Sequence, residues 1–218
     1  MVVDLPSTFY RRHLPHYQPP GATFFATFRL IDSLPVEVVA GLKEDHKKEE
    51  RILMRIEDKQ DRDYRAINQR KRYFSKFDEA LNRCSSSPQW FNKPAVADTV
   101  KEAIHYRNGN EYGLLAYCIM PNHVHMVFSL ETVGRRGSSP QRVTKILENL
   151  KWYTAKAANK ILGRKGAFWQ HESYDHVVRG PRELKRIVAY VLNNPVKAGL
   201  VKSWEGWSWS YVHKDVAF

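Results

Sequence analysis

The chain has 218 residues, 43% of them hydrophobic, which is enough to bury one compact core. Thirty-five Lys and Arg residues against twenty-three Asp and Glu residues give a formal net charge of +12, which favours polyanionic partners such as nucleic acid. The two cysteines, Cys84 and Cys118, exclude a disulfide framework, and no segment approaches the roughly 20 apolar residues of a membrane span. The N-terminal sequence does not resemble a signal peptide, so we expect a soluble, cytoplasmic protein.

The N-terminal half predicts one strand followed by charged helices. Residues 22–30 (ATFFATFRL) are rich in Phe and Thr, which is typical of a buried strand. Between residues 42 and 81 charges are dense and apolar residues recur at helical spacing, which predicts helices with one solvated face. A short helix capped by Asp98 follows and ends near Asn108.

The middle of the chain predicts a pair of strands and a long helix. Residues 112–130 contain two apolar runs separated by Met120-Pro121-Asn122, which indicates antiparallel strands with a tight connection. Ser139-Pro140 is a favourable helix start, and the apolar stripe that follows runs to Gly163, which is placed to end the helix.

The C-terminal part predicts another strand at residues 172–179 and a helix that begins at Pro181 and is stopped by Asn193-Asn194-Pro195. The tail from 204 to 211 is a last strand or an extended cover. We interpret the chain as a single domain, 1–218, with a charged helical insertion at 36–95 and a C-terminal extension at 180–218.

His123-Val124-His125 is the first motif that could carry chemistry. Alternation along a strand sends both imidazoles to one face, where they could chelate one divalent ion. The pair alone is equally compatible with two ordinary polar groups on a solvated sheet face.

Tyr153 lies in the middle of the long predicted helix, between Lys151 and Lys156 and at the edge of the apolar stripe. An aromatic residue there is usually half-buried packing. A phenol with an ordinary pKa of about 10 is a poor nucleophile without a base or a metal. A catalytic role for Tyr153 therefore requires the histidine pair nearby.

The segment 135–186 carries thirteen Lys and Arg residues but four Asp and Glu residues, interleaved with aromatic residues. Basic side chains contact phosphates and aromatic faces stack on unpaired bases, so this mixture favours single-stranded DNA. Trp169 fits an apolar core equally well. The predicted DNA contacts, with an N-terminal basic pair included, are Arg11, Arg12, Arg135, Arg142, Lys145, Lys151, Trp152, Lys156, Lys160, Arg164, Lys165 and Arg179.

Long blocks of the sequence resemble the REP-associated tyrosine transposases, which are single-tyrosine HUH nucleases. The blocks are FYRRHLPHYQPPGATFFATFRL, YGLLAYCIMPNHVHMVF, LKWYTAKAANK, GRKGAFWQHESYDHVVR and YVLNNPVKAGLV. The resemblance implies an α+β fold with a ferredoxin-like antiparallel sheet and helices on one face. It places His123 and His125 on a central strand and Tyr153 on a helix across the sheet.

The resemblance also implies a reaction. Mg²⁺ or Mn²⁺ held by the histidine pair polarises the scissile phosphate, and Tyr153 attacks to leave a 5′-phosphotyrosine and a free 3′-hydroxyl. The family's association with palindromic repeats implies a DNA hairpin with a single-stranded flank as substrate. We therefore expect a metal-dependent endonuclease and strand transferase, a monomer in preference to a dimer.

One position departs from the family pattern. Related insertion-sequence transposases often take a third metal ligand from a glutamine one helical turn after the tyrosine, where this chain has Ala157. His176 and its neighbour Asp175 are candidate replacements, and Asn159 is a weaker one. His176 is equally compatible with a strand histidine that hydrogen-bonds DNA or backbone. The missing donor supports an alternative function, a catalytically inactive regulator that binds DNA hairpins.

Overall fold

A computed structural model describes the backbone of residues 9–11 and 15–17 and the full structure of residues 21–84, 86–130 and 143–216. The predicted helix start at Ser139-Pro140 and three of the predicted DNA contacts, Arg12, Arg135 and Arg142, lie outside the described residues. Arg11 is described for its backbone only. The chain forms two compact units, one of Met1–Ile31 with Trp90–Phe218 and one of Asp32–Gln89.

The described residues form seven strands and five helices. The strands are β1 (Phe9–Arg11), β2 (Pro15–Tyr17), β3 (Thr23–Arg29), β4 (Gly113–Ile119), β5 (His123–Ser129), β6 (Tyr174–Val177) and β7 (Ser210–Val212). The helices are α1 (Val36–Leu53), α2 (Lys59–Arg83), α3 (Pro94–Arg107), α4 (Val143–Leu162) and α5 (Pro181–Lys197). Helix α3 begins at Pro94 rather than at Asp98, because proline is favoured in a first helical turn.

Five of the strands form one antiparallel sheet in the order β6-β3-β5-β4-β7. In the register of β3 with β5, Thr27 pairs with His125 and Phe28 pairs with Val124. Paired residues of antiparallel strands point to the same side, so these two pairs mark the two opposite faces of the sheet. The predicted α+β fold with an antiparallel sheet is confirmed.

One face of the sheet carries the main hydrophobic core. Phe24, Phe28, Val124, Met126 and Phe128 are buried there together with the apolar residues of α3 and α4. Full burial of each such side chain contributes about 1.5–3 kcal/mol. Helices α3 and α4 therefore belong to this face, which we call the core face.

Helix α5 lies on the other face, which we call the imidazole face. Its Tyr190 ring is 6.2 Å from the Phe25 ring and 5.7 Å from the His125 ring, measured between centroids. The predicted helix stop at Asn193-Asn194-Pro195 is wrong, because α5 continues through Pro195 to Lys197. Proline interrupts the backbone ladder only at the carbonyl one turn earlier, so two further residues remain helical.

The second unit consists of α1 and α2, whose dense charge matches the prediction of solvated helices. The Asp58 carboxylate caps α2 by accepting a hydrogen bond from the Asp61 amide. Inside the unit the His46 ring stacks on Tyr73 at 4.3 Å between centroids. Across both units, none of the described helices has the length and apolar character to cross a membrane.

Candidate active site

The two imidazoles of β5 face each other inside the protein. His123 and His125 are fully buried, and their Nε2 atoms are 3.0 Å apart. Strand alternation places both rings on the imidazole face, as their spacing predicts. The burial shows that they are not polar groups on a solvated surface.

Each ring is held from behind by a polar neighbour. His123 Nδ1 lies 2.6 Å from Asn122 Oδ1, and His125 Nδ1 lies 2.8 Å from Thr27 Oγ1. An amide oxygen only accepts, so His123 Nδ1 carries the proton and donates it, and the Thr27 hydroxyl can accept from His125 in the same way. With both protons on Nδ1, the Nε2 lone pairs point toward a shared position. Metal-binding histidines are oriented by neighbours of this kind.

A third group reaches the same position from α5. Asn194 is fully buried, and its Nδ2 atom is 2.9 Å from His125 Nε2. Rotation of this amide by half a turn would present its oxygen instead, and hard divalent cations prefer oxygen ligands. Two ligands of an octahedral ion at about 2.1 Å and a right angle lie about 3.0 Å apart, which is the observed spacing of the Nε2 atoms. The group of two imidazoles and one amide therefore suits a divalent cation.

Tyr190 accompanies this group. Its ring is half-buried, at 65° to the His125 ring, and the Lys197 Nζ atom is 4.9 Å from the ring centroid. Residues 190, 194 and 197 are spaced by four and three, so they occupy one stripe of α5. Helix α5 thus presents a phenol, an amide and an ammonium group along one side, beside the imidazole pair.

Tyr153, the sequence-predicted nucleophile, lies elsewhere. Its side chain is 50% exposed on α4, with the Arg107 guanidinium carbon 5.5 Å from its ring centroid. Helix α4 packs on the core face with Val124, whereas His125 points to the imidazole face. The sheet itself separates Tyr153 from the imidazole pair. Tyr153 therefore lacks the nearby histidine pair that its predicted role requires, whereas Tyr190 lies beside that pair.

The sequence contains a signal at Tyr190 that is absent at Tyr153. An amide one helical turn after the nucleophile is absent at Ala157, but Asn194 follows Tyr190 by four residues. The predicted helix stop at 193–195 concealed this spacing, since it placed Asn194 outside the helix. A tyrosine followed by an amide at that distance would have identified α5.

The other candidate metal ligands have different surroundings. His176 points to the imidazole face, being paired with Phe25, but its Nε2 atom lies 3.3 Å from Glu183 Oε1. Asp175 points to the core face, and Asn159 on α4 donates a hydrogen bond to the Gly166 carbonyl. Asn194, by contrast, lies within hydrogen-bond distance of His125 Nε2, on the side where the two rings face each other.

The described DNA-contact candidates divide into two groups. Lys151 is buried and donates to the His171 carbonyl and the Ser173 hydroxyl, and the Arg164 guanidinium stacks on Trp90 at 4.0 Å. Trp169 is buried in the core, where its indole donates to Thr154. The candidates that remain exposed are Lys145, Trp152, Lys156, Lys160, Lys165 and Arg179.

Comparison with known proteins identifies relatives of this chain. A REP-associated tyrosine transposase of Escherichia coli (strain K12) is 28% identical over 52% of this chain and 62% of its own length. A relative from Haemophilus influenzae is 26% identical over 47% of this chain and 60% of its own length. The chain thus spans about three-fifths of the length of these curated relatives.

A solved structure shares the fold of this chain. A solved structure of a REP-associated tyrosine transposase bound to a REP hairpin matches 95% of this chain and 84% of its own, with a TM-score of 0.52 and 18% identity. The family model described as "Transposase IS200 like" matches residues 81–194, more than half of the chain. That range contains the imidazole pair, Tyr190 and Asn194, and by this match the chain belongs to the IS200-like transposase family.

Proposed function

We propose that this protein is a metal-dependent endonuclease and strand transferase for single-stranded or hairpin DNA, with Tyr190 as its nucleophile. The observation that carries the proposal is the placement of Tyr190 and Asn194 against the buried His123–His125 pair. The net charge of +12 suits a polyanionic substrate. The relative of known structure was solved with a REP hairpin, which supports a hairpin of this kind as substrate.

His123, His125 and Asn194 are the residues that would hold Mg²⁺ or Mn²⁺. Such an ion supplies a Lewis acid that stabilises the charge developing on the scissile phosphate. Asn122 and Thr27 keep the imidazoles in one tautomer and orientation through their contacts with the Nδ1 atoms. The burial of the pair excludes bulk water, which strengthens electrostatic interactions at the site.

Tyr190 carries the covalent step. Its phenolic oxygen forms a bond to phosphorus while the bond from phosphorus to the 3′-oxygen of the preceding nucleotide breaks. The 3′-oxygen takes up the proton, and the products are a 5′-phosphotyrosine and a 3′-hydroxyl. The phosphotyrosine ester replaces the phosphodiester bond that is broken. Attack by another 3′-hydroxyl on this ester therefore rejoins the strand without a nucleotide cofactor.

The rings around Tyr190 restrict its position. Phe25 meets the tyrosine ring edge-on at 85° and His125 meets it at 65°. Holding a nucleophile in the attacking orientation before the reaction lowers the entropic part of the barrier. Because Tyr190 and the imidazoles belong to the same chain, we propose that the site acts within a monomer.

The inactive-regulator alternative loses its main support. That alternative depends on the missing third ligand at Ala157. The amide of Asn194 stands one turn after Tyr190 and within 2.9 Å of His125, so the donor set is not depleted. We therefore prefer a catalytic function.

A pair of tyrosine variants tests the nucleophile. With a labelled hairpin that carries a single-stranded flank, in Mn²⁺, we expect Tyr190→Phe to abolish cleavage and the covalent adduct while hairpin affinity stays within a few fold. Tyr153→Phe should cleave normally. Mass spectrometry of the adduct should place the DNA on the peptide that contains residue 190. An adduct on the peptide of Tyr153, or cleavage by Tyr190→Phe, would refute the assignment.

A mixing experiment tests the monomeric site. Tyr190→Phe and His123→Ala should both be inactive but folded by circular dichroism. If each site is built from one chain, the mixture also stays inactive. Restored cleavage in the mixture would show that two chains share a site.

A further inference from the structure

A cleft of about 280 Å³ lies between α4 and residues 166–175. Its lining comes from one side of α4, including Leu147 and Ala155, and from Phe168 on the following segment. These apolar residues belong to the core face or adjoin it, so the cleft and the imidazole pair lie on opposite sides of the sheet. The cleft is therefore separate from the proposed active site.

An exposed indole forms part of the lining. The side chain of Trp152 is 70% exposed, and the Lys156 Nζ atom is 5.8 Å from its ring centroid. A tryptophan usually buries most of its large apolar surface, so this exposure leaves a stacking surface without a partner ring in the described contacts. An exposed aromatic face beside a cation is the arrangement that proteins use to stack unpaired bases.

The charges inside the cleft differ from those outside it. The cleft is lined by the carboxylates of Glu148, Glu172 and Asp175, and Glu172 Oε1 is buried without a hydrogen-bond partner among the described residues. Lys151, which also lines the cleft, already donates to the His171 carbonyl and the Ser173 hydroxyl. The outer surface of α4 instead exposes Lys145, Lys156 and Lys160.

This charge pattern selects one part of a nucleotide. Carboxylates repel phosphate but accept hydrogen bonds from the amino groups of bases. The exposed lysines attract phosphates to the outside of the helix. A nucleotide whose base enters the cleft while its phosphates stay beside the exposed lysines suits both the carboxylates and the lysines.

We infer that this cleft binds one unpaired nucleobase of the DNA, stacked on Trp152 with its amino group toward the carboxylates. The inference rests on the proposed DNA substrate. Because the sheet lies between the cleft and Tyr190, the bound base belongs to a part of the flank or loop away from the scissile phosphate. Adenine, cytosine or guanine binds better than thymine, which lacks an exocyclic amino group.

The test is equilibrium binding in EDTA, where no cleavage is expected to complicate the affinity. The probes are one hairpin with a single-stranded flank and the same hairpin with a blunt end. Trp152→Ala should weaken binding of the flanked hairpin about tenfold, in the range for loss of one base–aromatic stack, and leave the blunt hairpin unchanged. Ala155→Trp, which fills the cleft from α4, should reproduce this loss.

The matched control is Tyr106→Ala. Tyr106 is also a highly exposed aromatic residue, on α3, but it does not line the cleft, so its loss should change neither affinity. The flank bases can be replaced one at a time with abasic sites. At one position this replacement should lower the affinity as much as Trp152→Ala does. At that position thymine should bind less well than cytosine.

The outcomes separate this inference from the proposed function. If wild type binds both hairpins and neither cleft variant reduces flank binding, the base site is refuted and the proposed nuclease stands. An equal loss for blunt and flanked hairpins would also refute it, since Trp152 would then act on the duplex or the fold. If the wild-type protein binds no hairpin, both proposals fail. If it binds DNA as expected but does not cleave in Mn²⁺, only the proposed activity fails.

Discussion

Replacement of Asn194 tests whether its amide belongs to the metal-binding group. Asn194→Ala removes the Nδ2 atom that lies 2.9 Å from His125 Nε2, at a site where both side chains are fully buried. Leaving one partner of a buried hydrogen bond unsatisfied costs about 1–3 kcal/mol. We expect the free energy of unfolding without metal to fall by about 2 kcal/mol.

The effect on metal affinity should be separate from this destabilisation. Removing a residue that only orients a metal ligand weakens metal binding by about 10- to 100-fold. Removing the Asn194 amide, a proposed ligand, should therefore weaken Mn²⁺ binding by at least about tenfold. Asn194→Asp places a carboxylate oxygen at the same point, and Mn²⁺ prefers such an oxygen. This variant should bind Mn²⁺ at least as tightly as the wild type, although its metal-free form is destabilised by the buried charge.

Titration calorimetry with Mn²⁺ and no DNA measures the affinity, and urea unfolding followed by circular dichroism measures the stability. Asn193→Ala is the matched control, because Asn193 is exposed and its amide donates to the Ala189 carbonyl of its own helix. An Asn194→Ala variant that is destabilised but binds Mn²⁺ with wild-type affinity would contradict the ligand role. The amide would then serve His125 through a hydrogen bond alone.

Two further predictions follow from other contacts. Lys197→Met should slow single-turnover cleavage about tenfold without changing Mn²⁺ affinity, because the Lys197 ammonium group lies 4.9 Å from the Tyr190 ring centroid and can approach the phosphate that Tyr190 is proposed to attack. Lys197→Arg should restore most of the rate. Equal rates for Lys197→Met and the wild type would exclude a contact between Lys197 and the phosphate. The pKa of His105 is lowered from its ordinary value of 6.5, first by burial and then by the nearby Lys101 charge. As the pH falls, His105 is therefore protonated at a higher pH in the unfolded chain than in the folded protein. The free energy of unfolding should fall as the pH drops below about 6.5. His105→Gln should have a flatter pH dependence between pH 7 and 5 in thermal unfolding, and an unchanged slope would show that His105 does not contribute.

The strands were predictable because their signals are local. Phe and Thr in 22–30 and the apolar runs of 112–130 have high strand propensity, and a period of two fixes which side chains share a face. The convergence of His123 and His125 follows from that period alone. Their full burial does not, since it depends on the residues that cover the sheet.

The side of the sheet on which each helix packs could not be derived in this way. Helices α4 and α5 are both amphipathic, and each carries a tyrosine near the edge of its apolar stripe, Tyr153 and Tyr190. Amphipathicity specifies that a helix covers a sheet but not which face it covers. The distinguishing information is the chemical neighbour of each tyrosine, Ala157 in one case and Asn194 in the other.

The extent of α5 shows how tertiary packing overrides a local stop signal. Asn-Asn-Pro is typical of a helix end, yet Leu192, Asn194 and Pro195 are all buried in the folded chain. Burial of these side chains stabilises the final turn despite the missing backbone donor. That additional turn is what places the amide of Asn194 beside His125.

One edge strand of the sheet contributes residues to both faces. Strand β6 is the edge strand next to β3, and its adjacent residues Asp175 and His176 point to opposite faces. Asp175 lines the cleft beside α4, while His176 lies on the imidazole face. Arg179 is exposed just beyond this strand. Since the protein layer between the two sites is a packed sheet, substitutions at the cleft should alter which DNA is held, and substitutions on α5 should alter whether it is cut.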